Sequence, residues 1–289
     1  MQITVPISLK RLAAFSNGKS GGNPAGVLLL DSPLTAAEML RIAAEVGYSE
    51  TVFSYLEEGV WITWYFSPKL EIPFCGHATL ALGSHLAKRY GDGAYSLQTQ
   101  AGPVAVKAKE EAGLYRAMLQ SPGTHTRSAE PELINAALSL FSYSESNLHP
   151  GLPPMRANGG AEHLIIGLNS REALGAMNYD LLAGQELFRR FGIITIILAF
   201  PSSNTEFEVR NAFAAGGLKE DPATGGGAAA LAGYLRDLGW PHGCNIFIEQ
   251  GDYMGIPCRL NATFSNAPGS SIQVSGTVRE IEKNNYATD

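Results

Sequence analysis

The chain has 289 residues, 45% of them hydrophobic and 17% charged, so it is long enough to bury one large core or two ordinary ones. Its formal net charge is −6, and no run of Lys or Arg is longer than the pairs Lys88-Arg89 and Arg189-Arg190. The charge argues against a nucleic-acid or anionic-membrane surface and favours a small-molecule partner.

Cysteine usage and the apolar runs indicate the compartment. Cys75, Cys244 and Cys258 are odd in number and form no C-x-x-C pair, which fits neither a disulfide framework nor a zinc ribbon and favours a reducing environment. The N-terminal stretch "MQITVPISLKRLAAF" lacks the pattern of a secretion signal, and the longest apolar run, residues 192–200, is too short to cross a bilayer. We expect a cytoplasmic protein.

The first half of the chain predicts strands around two helices. Residues 35–47 form an amphipathic helix, because Thr35 and Glu38 have the spacing of a capping box and Gly47 ends the pattern. Residues 77–91 are small and apolar and predict a helix buried on most sides. Strands are predicted at 7–15, 25–30, 49–56, 60–66, 95–100, 102–108 and 114–121.

The second half repeats this order after a polar segment, residues 121–130, which we interpret as a linker. The predicted domains are therefore 1–124 and 125–289. Helices are predicted at 131–141 and 179–192, followed by a Gly- and Ala-rich helix from about residue 223. Strands are predicted at 161–168, 192–200, 205–213, 244–251, 257–264 and 271–278.

The two small-residue helices, "CGHATLALGSHL" and "ATGGGAAALAGYL", share a sequence pattern. Each follows a proline-containing turn and begins with glycine, where backbone N–H groups have no partner within the helix. Two such helix starts facing each other would hold an anion. The sequence therefore suggests two similar domains with a carboxylate-sized site at their junction.

Glu50 is a candidate for proton transfer. It lies in "YSETVF", between the end of a helix and an apolar strand, where a carboxyl group is partly shielded from water. Such shielding suits a carboxyl group to general acid and base catalysis near neutral pH. The alternative is a solvated charge at the end of a strand.

His77 and Cys75 lie in "PFCGHATL", at the start of the first small-residue helix. The imidazole of His77 could face the same site as the free N–H groups, or it could cap the helix structurally. Cys75 could be an activated thiolate, since a helix N-terminus stabilises that form, or a small buried core residue.

Asp221 precedes the second small-residue helix and is either a functional acid or a helix cap. Gly225, Gly226 and Gly227 form a loose match to the dinucleotide fingerprint G-x-G-x-x-A. That match lacks the upstream strand which the fingerprint requires. An NAD-binding oxidoreductase is therefore the least favoured function. No zinc, Walker A or serine-hydrolase motif is present, and no metal is expected.

Four blocks occur in order: "GGNPAGVLLL", "SETVF", "YFSPKLEIPFCGHATLALG" and "GGLKEDPATGGGAAALAGYL". Together they resemble the PhzF-like family, the relatives of the phenazine-biosynthesis isomerase, whose fold is related to diaminopimelate epimerase and proline racemase. The resemblance spans most of the chain, and residues 125–190 contribute least. It implies an α/β (α+β) protein of two similar barrel-like domains, each wrapped around a central helix, with the active site in the cleft between them.

The resemblance also assigns roles to residues. It implies that Glu50 moves a proton between carbons of a small carboxylate without metal or organic cofactor, and that His77 and Asp221 bind and orient the substrate. The glycine-rich helix starts, near Gly76, Gly225 and Gly226, would bind the substrate carboxylate, with Cys75 beside the first of them. The family further implies a homodimer.

Two positions depart from the family pattern. The family usually has serine where this chain has Gly226, which keeps the N–H group and loses a hydroxyl. The related epimerases use two cysteines on opposite faces of the substrate, but only Cys75 is present here, so a two-thiol mechanism is not expected. We therefore predict a cofactor-independent isomerase of the PhzF-like family. The alternative is a non-catalytic protein that retains the cleft and binds a small ligand.

Overall fold

The computed structural model describes residues 9–281. Residues 1–8 and 282–289 lie outside the described part, including the first two residues of the strand predicted at 7–15 and most of the N-terminal segment examined for a secretion signal. The described chain divides into two compact units. The first contains the residues up to Leu119 together with those from Ser275 onward, and the second is Gln120–Val274.

The first unit is a barrel of strands around one helix. The strand order β1-β2-β3-β4-β6-β7-β8-β16 returns to β1 through antiparallel pairing of β1 with β16, so the sheet closes, and the short β5 pairs with β4. The strands are β1 (Lys10–Ser16), β2 (Asn23–Leu29), β3 (Glu50–Glu57), β4 (Val60–Phe66), β5 (Glu71–Ile72), β6 (Gly93–Thr99), β7 (Gly102–Glu111), β8 (Leu114–Gly123) and β16 (Ser271–Glu280).

The two helices of this unit confirm the sequence prediction. α1 (Ala36–Val46) has the Thr35 and Glu38 capping box, and Gly47 ends it with a left-handed φ of 75°. α2 (Gly76–Tyr90) packs against strands β1, β2, β3, β6 and β7, and every residue from His77 to Ala87 is buried. A Cβ at Gly83 would lie 2.5 Å from Cγ2 of Val106, so this close approach of helix and strand requires glycine.

The second unit wraps a mixed sheet around another small-residue helix. Its strand order is β16-β15-β14-β13-β12-β11-β10-β9, in which β11–β12 and β13–β14 are parallel. The new strands are β9 (His125–Ser128), β10 (Met155–Asn158), β11 (Glu162–Gly167), β12 (Thr195–Pro201), β13 (Glu206–Ala212), β14 (Asn245–Gln250) and β15 (Cys258–Thr263). The helices are α3 (Pro131–Leu140), α4 (Arg171–Gly175), α5 (Leu181–Phe191) and α6 (Gly225–Asp237).

α6 packs against strands β9, β10, β11, β12 and β15, and its residues Gly227 to Arg236 are buried. A second core joins α3 and α5 to the sheet through Leu133, Leu164, Phe188 and their neighbours. The predicted α/β class, with one small-residue helix central to each unit, is confirmed.

The boundary between the units differs from the prediction. The linker predicted at 121–130 is wrong, because most of these residues form the end of β8 and the whole of β9, which pairs with β10. The final strand also returns to the first unit, since β16 pairs with β1, whereas the predicted second domain ran through residue 289. Among the described residues, no helix has the length and apolar character that a membrane span requires.

Candidate active site

Glu50 is the first residue of β3, directly after the turn that follows α1. The strand lies between parallel β2 and antiparallel β4, with Glu50 opposite Ala25 in the register. Its side chain is 18% exposed, whereas the next residues, from Thr51 to Ser54, are buried. The carboxyl group is therefore fixed at the end of a rigid strand and remains partly accessible to solvent.

Cys75 and His77 lie at the start of α2. Cys75 is the N-cap, in extended conformation with φ −142°, and its side chain forms no capping hydrogen bond. His77 is the second residue of the helix and is 8% exposed. The first turn of a helix leaves backbone N–H groups without partners in the helix, so this region combines two reactive side chains with hydrogen-bond donors.

Three side chains from these two elements meet around the imidazole of His77. Its Nε2 lies 3.3 Å from Oε2 of Glu50, and its Nδ1 lies 3.3 Å from Sγ of Cys75. With a neutral ring protonated at Nε2, the ring donates to Glu50 and accepts from the thiol of Cys75. This chain of contacts orients one carboxylate oxygen of Glu50.

A buried hydrogen-bond chain holds the start of α2 against β4. The hydroxyl of Thr79 donates to the carbonyl oxygen of Cys75 over 2.7 Å, so the hydroxyl of Tyr65 donates to Thr79 Oγ1 over 2.6 Å. Burial raises the pKa of Tyr65, which keeps this phenol protonated. These hydrogen bonds fix the backbone at Cys75 on the side that faces the protein core.

In the second unit, Asp221 is not the cap of α6, because the N-cap is Thr224. The hydroxyl of Thr224 donates to Oδ2 of Asp221, and Nδ2 of Asn211 donates to Thr224 Oγ1. Nε2 of Gln250 donates to the backbone oxygen of Asp221 over 2.7 Å. The network holds Asp221 beside the glycine-rich first turn.

The sequence motifs did not identify Asn211 and Gln250 as site residues, although the burial pattern of their strands indicates them. β13 buries Phe207 and Val209 on the same face as Asn211, and β14 buries Ile246 and Ile248 on the same face as Gln250. A polar residue on the apolar face of an alternating strand must find a buried partner. In both strands that partner belongs to the start of α6.

Gly226 has room for a small side chain. A Cβ at this position would have only the oxygen of Gly159 and Nε2 of His163 within 4 Å, at 3.8 and 3.9 Å. His163 is 2% exposed, its Nδ1 bonds Thr195 Oγ1 over 2.6 Å, and Nε2 has no hydrogen-bond partner among the described residues. Burial lowers the pKa of His163 to about 4, so the ring is neutral at pH 7.

The structure therefore brings Glu50, Cys75, Gly76 and His77 together in the first unit and places Asp221, Gly225 and Gly226 together in the second. Among the described residues, one group has the donor atoms and spacing for a metal ion: a carboxylate oxygen of Glu50, Sγ of Cys75 and a ring nitrogen of His77 all lie within 4.8 Å of one another.

Comparison with known proteins identifies the family of the chain. The family model described as phenazine biosynthesis-like protein matches residues 12–282. A relative from Deinococcus radiodurans, named an uncharacterized isomerase, is 33% identical over 255 residues, which cover 85% of this chain and 83% of the relative.

Solved structures show the same fold. A phenazine biosynthesis protein of the PhzF family from Bacillus anthracis superposes with a TM-score of 0.82 at 22% identity, covering 95% of this chain and 96% of the other. A probable proline racemase from Agrobacterium radiobacter superposes with a TM-score of 0.61 at 12% identity, covering 97% and 93%. The fold is therefore one that proline racemase-like proteins share.

Proposed function

This chain belongs to the phenazine biosynthesis-like family and is an isomerase, and from that premise we propose that it moves a proton between carbon atoms of a small carboxylate or amino-acid-like substrate. Glu50 is the general acid and base, and the reaction needs neither metal nor organic cofactor. The relatives' names favour catalysis over the alternative of non-catalytic ligand binding.

The observation that carries this proposal is the position of Glu50. Its carboxyl group is partly shielded, it is fixed at the end of β3, and its Oε2 lies 3.3 Å from His77 Nε2. A base acts efficiently when it is held within reach of the proton and in one orientation. Among the described residues, Glu50 has an ion-pair contact with His77 and none with Lys or Arg.

The proton balance is simple. Glu50 removes a proton from a carbon next to an electron-withdrawing group, and the C–H electron pair moves into an enolate-like system. The N–H groups at the start of α2, beginning with Gly76, stabilise the negative charge of the substrate. The proton on Glu50 exchanges with solvent through the exposed side of the carboxyl group, and Glu50 then delivers a proton to another carbon, so the substrate is isomerised and the enzyme is restored.

The start of α6 is a proposed binding site within the second unit. Asp221, held by Thr224 and Gln250, orients a polar group of a bound small molecule, and the N–H groups of Gly225 and Gly226 bind an anionic group. Gly226 has no hydroxyl. A polar group next to it must therefore find its hydrogen-bond partner in the bound molecule or in water. Cys75 orients His77 and supplies no second base.

A panel of small cyclic and acyclic amino acids and hydroxy acids, incubated with the enzyme in deuterated water and followed by NMR, tests the proposal. We expect at least one compound to isomerise with carbon-bound deuterium and without added metal or cofactor. Turnover that requires NAD(P) would contradict the mechanism. The cytoplasmic location and the homodimer stay predictions, which fractionation and sedimentation would test.

A further inference from the structure

The Glu50, Cys75 and His77 cluster offers the three donor types that zinc takes from proteins. Thiolate sulfur, imidazole nitrogen and carboxylate oxygen are its usual ligands, and a site with three protein ligands keeps a fourth position for water. We propose that this cluster binds one Zn²⁺ ion, and that the bound ion inhibits the enzyme by occupying its proton-transfer groups.

The three donor atoms lie within 4.8 Å of one another, and a change of side-chain rotamer brings them to tetrahedral spacing. Bonds of about 2.3 Å to sulfur and about 2.0–2.2 Å to nitrogen and oxygen place neighbouring ligand atoms about 3.3–3.7 Å apart. His77 Nε2 lies 3.3 Å from Glu50 Oε2 and 3.9 Å from Cys75 Sγ. Sγ of Cys75 lies nearer to Nδ1, at 3.3 Å, so Cys75 must adopt another rotamer before its thiolate and the Glu50 carboxylate share an ion with Nε2.

The backbone at each ligand is held in place before the ion arrives. Thr79 and Tyr65 fix the backbone of Cys75, His77 belongs to the buried first turn of α2, and Glu50 is the end of a paired strand. Glu50 is 18% exposed, which gives an ion and its water ligand access to the cluster. Because the backbone is fixed, binding orders side chains alone, which limits the conformational entropy that is lost.

Charge and bonding balance. When Zn²⁺ binds, the thiol of Cys75 loses its proton to solvent, a zinc–sulfur bond forms, and the ion sheds water; nothing is oxidised or reduced. The thiolate and the carboxylate together neutralise the ion, with His77 neutral. The partial positive charge at the start of α2 repels the cation, but it also stabilises the Cys75 thiolate. The second effect offsets the first.

Inhibition rests on the proposed function, whereas binding does not. A Glu50 carboxylate bonded to zinc cannot remove a proton from carbon, so the zinc-bound enzyme loses exchange. The site was not predictable from ligand spacing in the sequence, because Glu50 belongs to a different element from Cys75 and His77.

Cobalt provides a direct readout of the site. We would titrate the reduced, chelator-treated full-length protein with Co²⁺ under anaerobic conditions and record its absorbance. The proposal predicts one equivalent bound, a thiolate-to-cobalt charge-transfer band in the near ultraviolet, intense visible bands of four-coordinate cobalt, and bleaching of both when Zn²⁺ is added.

Variants identify the ligands. Cys75→Ser removes the charge-transfer band, and Glu50→Gln and His77→Asn each weaken Co²⁺ binding by more than about tenfold, since even residues that only support a ligand contribute that much. Cys244→Ser is the matched control: it removes the thiol that is not buried, lies outside the cluster and leaves the band unchanged. Thermal unfolding checks that each variant is folded.

Absence of the band, or its persistence in Cys75→Ser, overturns the zinc site. X-ray absorption of the zinc-loaded wild type provides a second measurement, with one sulfur and otherwise nitrogen or oxygen ligands expected and a shell without sulfur contradicting the proposal. If cobalt binds as predicted but the zinc-loaded enzyme still exchanges protons, inhibition is wrong. If the metal-free enzyme exchanges none, the proposed function fails while the site stands.

Discussion

Nε2 of His77 lies 3.3 Å from Oε2 of Glu50, and this contact joins the start of α2 to the start of β3. On its other side the same ring meets the thiol of Cys75. A ring held between a thiol and a carboxylate has one tautomer in which both contacts are hydrogen bonds. The orientation of Glu50 therefore depends on His77.

His77→Asn tests that dependence. The variant removes the hydrogen bond to Glu50, and we expect kcat to fall on the order of 100-fold, since misplacement of a reacting group by about 1 Å has that effect. KM should change much less. His85→Asn is the control, because it alters another buried histidine of α2 that makes no contact with Glu50. A kcat that is unchanged in His77→Asn would mean that His77 does not position the base.

Gly226 and Gly159 predict opposite effects of an added methyl group. At Gly226 a Cβ has no neighbour closer than 3.8 Å, so Gly226→Ala should raise the free energy of unfolding by up to about 1 kcal/mol through higher helix propensity. At Gly159 it would lie 2.6 Å from the oxygen of Gly226 and 2.7 Å from the nitrogen of Ala230, and Gly159→Ala should lower stability by about 1–3 kcal/mol.

Urea unfolding of the two variants measures both effects. Equal stability losses at both positions would contradict the packing at the start of α6. Gly226→Ser provides a further comparison, because its hydroxyl would lie near Nε2 of His163 and could satisfy that buried atom.

The buried histidines predict how stability depends on pH. Burial lowers the pKa of His163 to about 4, and burial together with the charges of Lys10 and Arg89 lowers that of His85 to about 4. In the unfolded chain each histidine binds a proton near pH 6.5, so protons favour unfolding between pH 6.5 and 4. The stability contribution is complete above pH 6.5 and is lost as the pH falls.

For His163 the loss amounts to about 3 kcal/mol between pH 6.5 and 4, following from the two pKa values. His163→Asn should therefore unfold with a smaller decrease in stability between pH 7 and pH 5 than the wild type. Denaturant titrations at three pH values measure the slope. Identical slopes for the two proteins would contradict a neutral, buried His163.

Local patterns predicted the secondary structure well. The Thr35 and Glu38 capping box marked α1, and the small residues after Cys75 and Thr224 marked the two central helices. Sequence could not predict the limits of the units, because pairing of β16 with β1 depends on residues at opposite ends of the chain. The linker prediction failed because polar residues also form β9, a strand at the sheet edge.

The site was predictable to the same extent. Glu50, His77 and Cys75 stand out by their positions next to a helix start or a strand start, but the distances among them come from the fold. Gln250 and Asn211 were detectable only as polar residues on apolar strand faces. His163 carried no signal, because a histidine in a buried strand does not reveal that one of its nitrogens lacks a partner.

Loss of deuterium exchange in Glu50→Gln tests the central claim most directly. The wild type and the variant would be incubated with the same substrate in deuterated water, with Glu57→Gln as the control, because Glu57 is an exposed acid at the other end of β3. General acid–base catalysis contributes about 10²–10⁴-fold, so we predict exchange reduced by at least about 100-fold in Glu50→Gln and unchanged in Glu57→Gln. Exchange at the wild-type rate in a folded Glu50→Gln protein would contradict the assignment of Glu50 as the proton carrier.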